Sequence, residues 1–198
     1  MRGPHVNQPA KVLLDANVLF KASIRDFLLR CAARGLIRIF WSAHILAELA
    51  GALQKFVGLT PDQTGRLVAA LEQAFPEAMV HGFEELIPAM KNHPSDRHVA
   101  AAAMHCGADI LLTDNLRDFK RLKRGLRVIN LQAYFPQLAA EFPEDTGKIL
   151  VEQVAALEDP PIGVGQLMDI INVHAPGKKT LFPPDLPIAA DGLRAGED

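Results

Sequence analysis

Short apolar runs alternate with longer stretches of helical period along the first two thirds of the chain. The run "KVLLDAN" (11–17) is apolar through Leu14 and stops at Asp15, as a buried strand does. Phe27, Leu28 and Cys31 follow at helical spacing. "GLIRIF" (35–40) alternates and carries β-branched residues, which predicts a second strand. In "SAHILAELAGALQKF" (42–56), Ile45, Leu49, Leu53 and Phe56 form one apolar stripe behind Ser42 as N-cap. "TPDQTGRLVAALEQAF" (60–75) predicts another amphipathic helix, with Thr60 as N-cap and Pro61 at the first helical position. A weak strand is expected at Met79–Val80. "SDRHVAAAAMHCG" (95–107) predicts a helix begun by Ser95 as N-cap and ended by Gly107. "ADILLTD" (108–114) and "LRVIN" (126–130) supply the last two strands. Strands separated by helices predict an α/β protein whose mostly parallel sheet is covered on both faces.

The pattern changes near Pro136, from which point eight of the 14 prolines are found. Two helical stretches remain, "TGKILVEQVAAL" (146–157) and "VGQLMDIINVH" (164–174). Their apolar stripes are Ile149, Leu150, Val154 and Leu157, then Leu167, Ile170 and Ile171, a pattern that ordinarily marks core. The expected organisation is a flexible N-terminus (1–10), an α/β domain (11–135), a helical extension (136–174) and a loosely ordered tail (175–198). There is no internal repeat.

Composition narrows the function classes. The chain has 198 residues, 49% of them hydrophobic and 22% charged, enough for one packed domain and an appendage. The net charge of −2 gives no global attraction to polyanions, so nucleic-acid binding would need a local basic patch. Cys31 and Cys106 form no Cys-x-x-Cys pair, which leaves buried free thiols as the reading. The N-terminus lacks the apolar core of a signal peptide, and no run of 18 apolar residues exists. A cytoplasmic location without a membrane span is expected.

Candidate chemistry gathers on carboxylates. In parallel α/β sheets, ligands bind outside the carboxyl ends of the strands. Asp15 and the segment "TDNLRDF" (113–119) both stand at such ends. Asp96 opens its helix, and Glu48 lies beside the buried stripe, on a ridge with His44 and Ala52. Each acid has an ordinary reading as a turn residue, a cap or a solvated flank; a helix-start acid contributes only about 0.3–1 kcal/mol. Their joint placement points further. Carboxylates that converge repel one another unless they hold protons or a cation. Oxygen-only ligands select Mg²⁺ or Mn²⁺. Such ions suit attack of water on a phosphodiester, through one ion or through two roughly 3.5–4 Å apart.

These residues resemble the PIN-domain family of metal-dependent nucleases, including VapC-type toxins. The matching pieces are "LLDANVLF", "SAHILAEL", "HPSDRHVAAAAMHCGADILLTDNLRDF" and the spacing between them, over roughly residues 11–135. The resemblance implies a three-layer α/β/α fold with acids that bind Mg²⁺ or Mn²⁺ and cut single-stranded or structured RNA; the C-terminal helices are the candidate surface for an antitoxin protein or a second copy of the chain. Asp15 matches the acid that ends the first strand, Glu48 the acid of the helix after the second strand, and Asp96 the acid of the "DRH" helix. Thr113, Asn115 and Asp118 match a T-x-N-x-x-D-F pattern in which Asp114 occupies a variable position. Spacing leaves open whether Asp114 or Asp118 completes the site; Asp118 is favoured, with Asn115 as an orienting group. The extension beyond Pro136 departs from the shorter toxins of the family.

A basic run adjoins these acids. "RDFKRLKRGLR" (117–127) holds Arg117, Lys120, Arg121, Lys123, Arg124 and Arg127 against one acid, while the remaining chain has 15 basic and 22 acidic residues. Phosphate contacts from this run, with Arg97 and His98 beside Asp96, would bind nucleic acid in a salt-dependent way. Twelve aromatic residues offer no evident stacking platform. "HAPGKKT" (174–180) is no P-loop, since Lys179 splits the Gly-Lys-Thr order. A His44–Glu48 transition-metal site lacks a second histidine cluster. Two other functions compete: a non-catalytic RNA- or protein-binding module, and an aspartate phosphatase, which Asn17 opposes by standing where a second acid is expected.

Overall fold

The computed structural model describes residues 8–120, 122, 125–157, 161–173, 181–182 and 186–188. Five strands, β1 (Ala10–Leu14), β2 (Ile37–Ser42), β3 (Met79–Val80), β4 (Ile110–Leu112) and β5 (Arg127–Ile129), form one sheet in the order β3-β2-β1-β4-β5. All four pairings are parallel, with Leu13 opposite Phe40 on one side and Leu111 on the other. Successive strand residues point to opposite faces. Val12, Leu13 and Leu14 are all fully buried, so helices cover both faces of the central strand. The fold is the expected three-layer α/β/α arrangement with additional C-terminal helices.

Local chemistry sets the helix ends. Asp15 caps α1 (Ala16–Leu19), its Oδ1 accepting from the Ala16 N–H at 2.7 Å. The next helix, α2 (Ala22–Ala33), buries Ile24, Phe27, Leu28 and Cys31. Ser42 ends β2 and also caps α3 (Ala43–Val57), which stops at Gly58 with φ 79°, a conformation open to a residue without Cβ. Thr60 and Gln63 form a reciprocal capping box on α4 (Pro61–Ala74). Before α5 (Arg97–His105) the chain makes a 3-10 turn, Pro94–Asp96. The expected N-cap Ser95 therefore lies inside that turn, and its hydroxyl donates to Asp96 Oδ1 at 3.1 Å. The Asp96 carboxylate makes no cap bond to its own helix.

One apolar position departs from the helical stripe. Ile45, Leu49 and Leu53 are buried, but Phe56 is 70% exposed. It meets Phe20 edge-on at 6.4 Å, with Lys55 Nζ 5.0 Å from its ring centroid. The last turn of α3 overruns the layer beneath it, so periodicity alone overstates the buried stripe.

Helix α6 (Leu131–Glu141) carries straight through Pro136, so the compositional change there does not break the backbone pattern. It is followed by α7 (Pro143–Ala155) and α8 (Val164–Val173). Ile149, Leu150, Val154, Leu167 and Ile171 are buried, whereas Leu157 and Ile170 are exposed. Phe182 packs on Phe27 and Phe135, at ring distances of 5.3 and 5.4 Å, which ties residues 181–182 to α2 and α6. Of the expected tail, Leu181, Phe182 and Leu186 are thus buried and Ile188 is partly covered, while Pro187 is exposed. The expected flexible segment 1–7, the phosphate-loop look-alike 174–180 and the remainder of the tail lie outside the described residues. Cys31 is buried, which pushes its thiol up to about 12, while Cys106 is only partly covered. Among the described residues, no helix is long and apolar enough to cross a membrane.

Candidate metal centre

The strand order changes direction between β1 and β4, and the candidate site opens at their carboxyl ends. The Asp15 N–H donates to the Leu112 carbonyl at 3.1 Å, and Thr113 leaves β4 bonded to the Ile129 carbonyl. These bonds set Asp15 beside Thr113. Thr113 Oγ1 donates to Asp15 Oδ2 at 2.6 Å, and Asn17 Nδ2 donates to the same oxygen at 2.6 Å. Asn17 also accepts from the Asp114 N–H through Oδ1. It works as a neutral clamp on Asp15 and Thr113, which is the role its side chain plays in place of a second acid.

Asp15 is only 6% exposed. Burial first, and then the nearby charges of Glu48 and Asp96, push its carboxyl up to about 6, despite the opposing bonds from Thr113 and Ala16. Glu48 of α3 and Asp96 of the turn before α5 thus lie near enough to act on Asp15, but among the described residues the group close enough to share one ion is His93, Asp96 and Asp118, without Asp15 or Glu48. Asp96 is also raised, chiefly by burial and further by Asp118. Asn115 Nδ2 joins this pair, donating to Asp118 Oδ2 at 2.6 Å and to Asp96 Oδ2 at 3.4 Å. Asn115 stands at the N-cap of the 3-10 turn Leu116–Phe119 but makes no cap bond there. Its side chain is spent on the two acids.

Asp114 and Asp118 face different partners. Asp118 lies against Asp96, whereas Asp114 pairs with Lys21 beside an apolar groove formed by Ala16, Phe20, Ala52 and Phe56. Glu48 borders that groove from the other side and accepts from His98 Nε2 at 3.0 Å. This bond is the largest cause of the raised His98 pKa. His98, a candidate phosphate contact by sequence, thus holds Glu48. His44 packs its ring beside those of His98 and Phe83 and makes no bond to Glu48.

One functional candidate, His93, is too scattered from His98 and His105 along the chain to be claimed from sequence. A ring nitrogen of His93 and one carboxylate oxygen from each of Asp96 and Asp118 all lie within 4.8 Å of one another. The only signal was the spacing of His93 and Asp96 around Pro94, which is common in turns. Of the basic run, Arg117 and Lys120 are exposed near Asp118. Arg127 begins β5, at the opposite end of the sheet, and donates to Gln137. Arg97 Nε reaches the Asn92 carbonyl at 3.4 Å. Arg121, Lys123 and Arg124 lie outside the described residues.

A parallel sheet with carboxylates at the ends of β1 and β4, on α3 and in the turn before α5 defines an α/β protein with an acidic crevice. The chain belongs to the PIN-domain family, whose model, described as PIN domain, matches residues 11–117. It is also similar to "Putative ribonuclease VapC50" of Mycobacterium tuberculosis (strain ATCC 25618 / H37Rv), with 32% identity over 120 residues, or 56% of this chain and 69% of that protein.

Proposed function

We propose that this chain is a metal-dependent endoribonuclease that hydrolyses RNA phosphodiester bonds, with Mg²⁺ or Mn²⁺ as cofactor. The observation that carries the reading is the Asp96–Asp118 pair beside buried Asp15. Among the described residues, neither Asp96 nor Asp118 has a Lys or Arg partner, while Asp114 has Lys21 and Glu48 has His98. Crowded oxygen donors without a matching cation fit a hard divalent ion.

Asp15, Glu48, Asp96 and Asp118 would hold that ion. When bound, it supplies positive charge against the phosphoryl oxygens and acidifies water. The chain's own groups set the geometry. Thr113 and Asn17 fix the Asp15 carboxylate, Asn115 orients Asp96 and Asp118, and His98 holds Glu48. Exposed Arg117 and Lys120, with Arg97 and the sequence neighbours Arg121, Lys123 and Arg124 of the same run, supply positive charge for RNA phosphates. Water adds to phosphorus, one P–O ester bond breaks, and no covalent bond to the protein forms.

Similarity to a VapC-named ribonuclease extends the reading to the toxin of a toxin–antitoxin pair, with an antitoxin as protein partner. Cleavage of RNA by purified protein with Mg²⁺ or Mn²⁺, against Asp15→Asn and Asp96→Asn, tests the mechanism. Each variant should lose at least 100-fold in rate, on the order of the several kcal/mol that metal charge stabilisation supplies. Undiminished cleavage by both would reject the mechanism, whereas RNA bound equally well with and without metal and never cut would favour a binding module.

A further inference from the structure

We infer that His93 supplies a nitrogen ligand to the divalent ion of this site and thereby shifts its preference from Mg²⁺ toward Mn²⁺. The inference rests on the metal-dependent reading above and adds a donor of different chemistry to its four acids.

The spacing is one that a single ion could draw together. With metal–ligand bonds of about 2.1 Å, neighbouring octahedral ligands lie ~3 Å apart and opposite ones ~4.2 Å apart. A ring nitrogen of His93 and oxygens of Asp96 and Asp118 already fall within 4.8 Å of one another, so small side-chain rotations bring them onto one ion. The backbone holds the three residues together. The His93 N–H donates to the Asp118 carbonyl at 3.1 Å, and the His93 carbonyl accepts from the Asp96 N–H at 3.0 Å. Pro94 follows directly and restricts His93 to extended backbone, with ψ 137°. The imidazole is kept on the acid side by Ser95, whose Oγ lies 2.7 Å from His93 Nδ1 and 3.1 Å from Asp96 Oδ1.

The partners of the acids bear on the same spot. Asp15 has Thr113 and Asn17, Glu48 has His98, and Asp114 has Lys21. Asp96 and Asp118 share only neutral donors among the described residues, Ser95 and Asn115. Like Asp15, they meet no cationic side chain among the described residues, and His93 stands beside both of them. Mg²⁺ sheds water reluctantly and keeps to oxygen donors, whereas Mn²⁺, though also an oxygen-favouring ion, belongs to the first-row series whose affinity for nitrogen sites exceeds that of Mg²⁺. A nitrogen ligand here strengthens Mn²⁺ binding and adds little for Mg²⁺.

Mn²⁺ titration of the full chain, followed by electron paramagnetic resonance, tests this without reference to activity. Pulsed measurements on the Mn²⁺-loaded protein should show nitrogen coupling from a directly bound imidazole. His93→Gln should remove that coupling and weaken Mn²⁺ about tenfold, while Mg²⁺ affinity, read by competition, changes less than about threefold. His98→Gln should retain the coupling. Because His93 is exposed, a thermal melt confirms that the variant is folded. Mn²⁺ that still binds through Asp96 but shows the same coupling and the same Mn²⁺/Mg²⁺ ratio in His93→Gln would overturn the His93 assignment and leave the acid site standing. Mn²⁺ binding that is absent, or indifferent to Asp96→Asn, would overturn the metal reading and this inference with it.

Discussion

Burial of Asp15 makes the folded chain hold a proton that the unfolded chain releases. Its carboxyl titrates near 6 when folded, against 3.8 when free. Below pH 3.8 both states are protonated and nothing is lost. As pH rises from about 4 to 6 the folded state loses ground, and above 6 the full cost, on the order of 3 kcal/mol, applies. His98 acts in the same sense, since Glu48 raises its pKa and its contribution fades as pH rises. Metal-free protein should therefore melt at a lower temperature at pH 7 than at pH 5, and Asp15→Asn should flatten that difference. Addition of Mg²⁺ or Mn²⁺ at pH 7 should raise the melting temperature of the wild type more than that of the variant. Parallel pH profiles for the two proteins would show that Asp15 bears no such cost.

Helix α7 carries a different kind of constraint. Gly147 is buried in its first turns, and a Cβ there would lie 1.9 Å from the Pro187 carbonyl oxygen. The segment 186–188 can lie this close only because the side chain is absent. Gly147→Ala gains about 1 kcal/mol of helix propensity. It also forces overpacking, which costs roughly 1–3 kcal/mol. A net loss is expected because the clash is with backbone, which cannot rotate away as a side chain can. Urea denaturation should show a lower midpoint for Gly147→Ala; a higher midpoint would mean that 186–188 does not hold α7.

Across the molecule, acidic and basic charge are separated within a net of −2. The acids sink into the crevice between β1 and β4, and Arg117 and Lys120 stand exposed at its margin. RNA affinity should fall with salt, and the double variant Arg117→Ala, Lys120→Ala should reduce the log–log slope by about 1.4, or ~0.7 for each phosphate contact on a single strand. Binding measured between about 50 and 200 mM salt checks this; an unchanged slope would place the RNA path elsewhere.

Much of this protein was legible along the chain. The strands at 11–14 and 110–112, the capped helices after Ser42 and Thr60, and the acids at strand ends follow from local rules, because period, capping and strand termination depend on near neighbours. Asp15, Glu48, Asp96 and Asp118 could be nominated for that reason. Which acid faces which partner was a matter of three-dimensional placement. Asp114 and Asp118 differ by one turn of chain, yet one meets Lys21, 93 residues away, and the other meets Asp96. The exposure of Phe56, the helix through Pro136 and the packing of Phe182 on Phe27 were likewise decided by long-range contacts. Periodicity records which side of a helix is apolar; only the folded neighbours determine how far along that side the cover extends, and which charges are left to seek an ion.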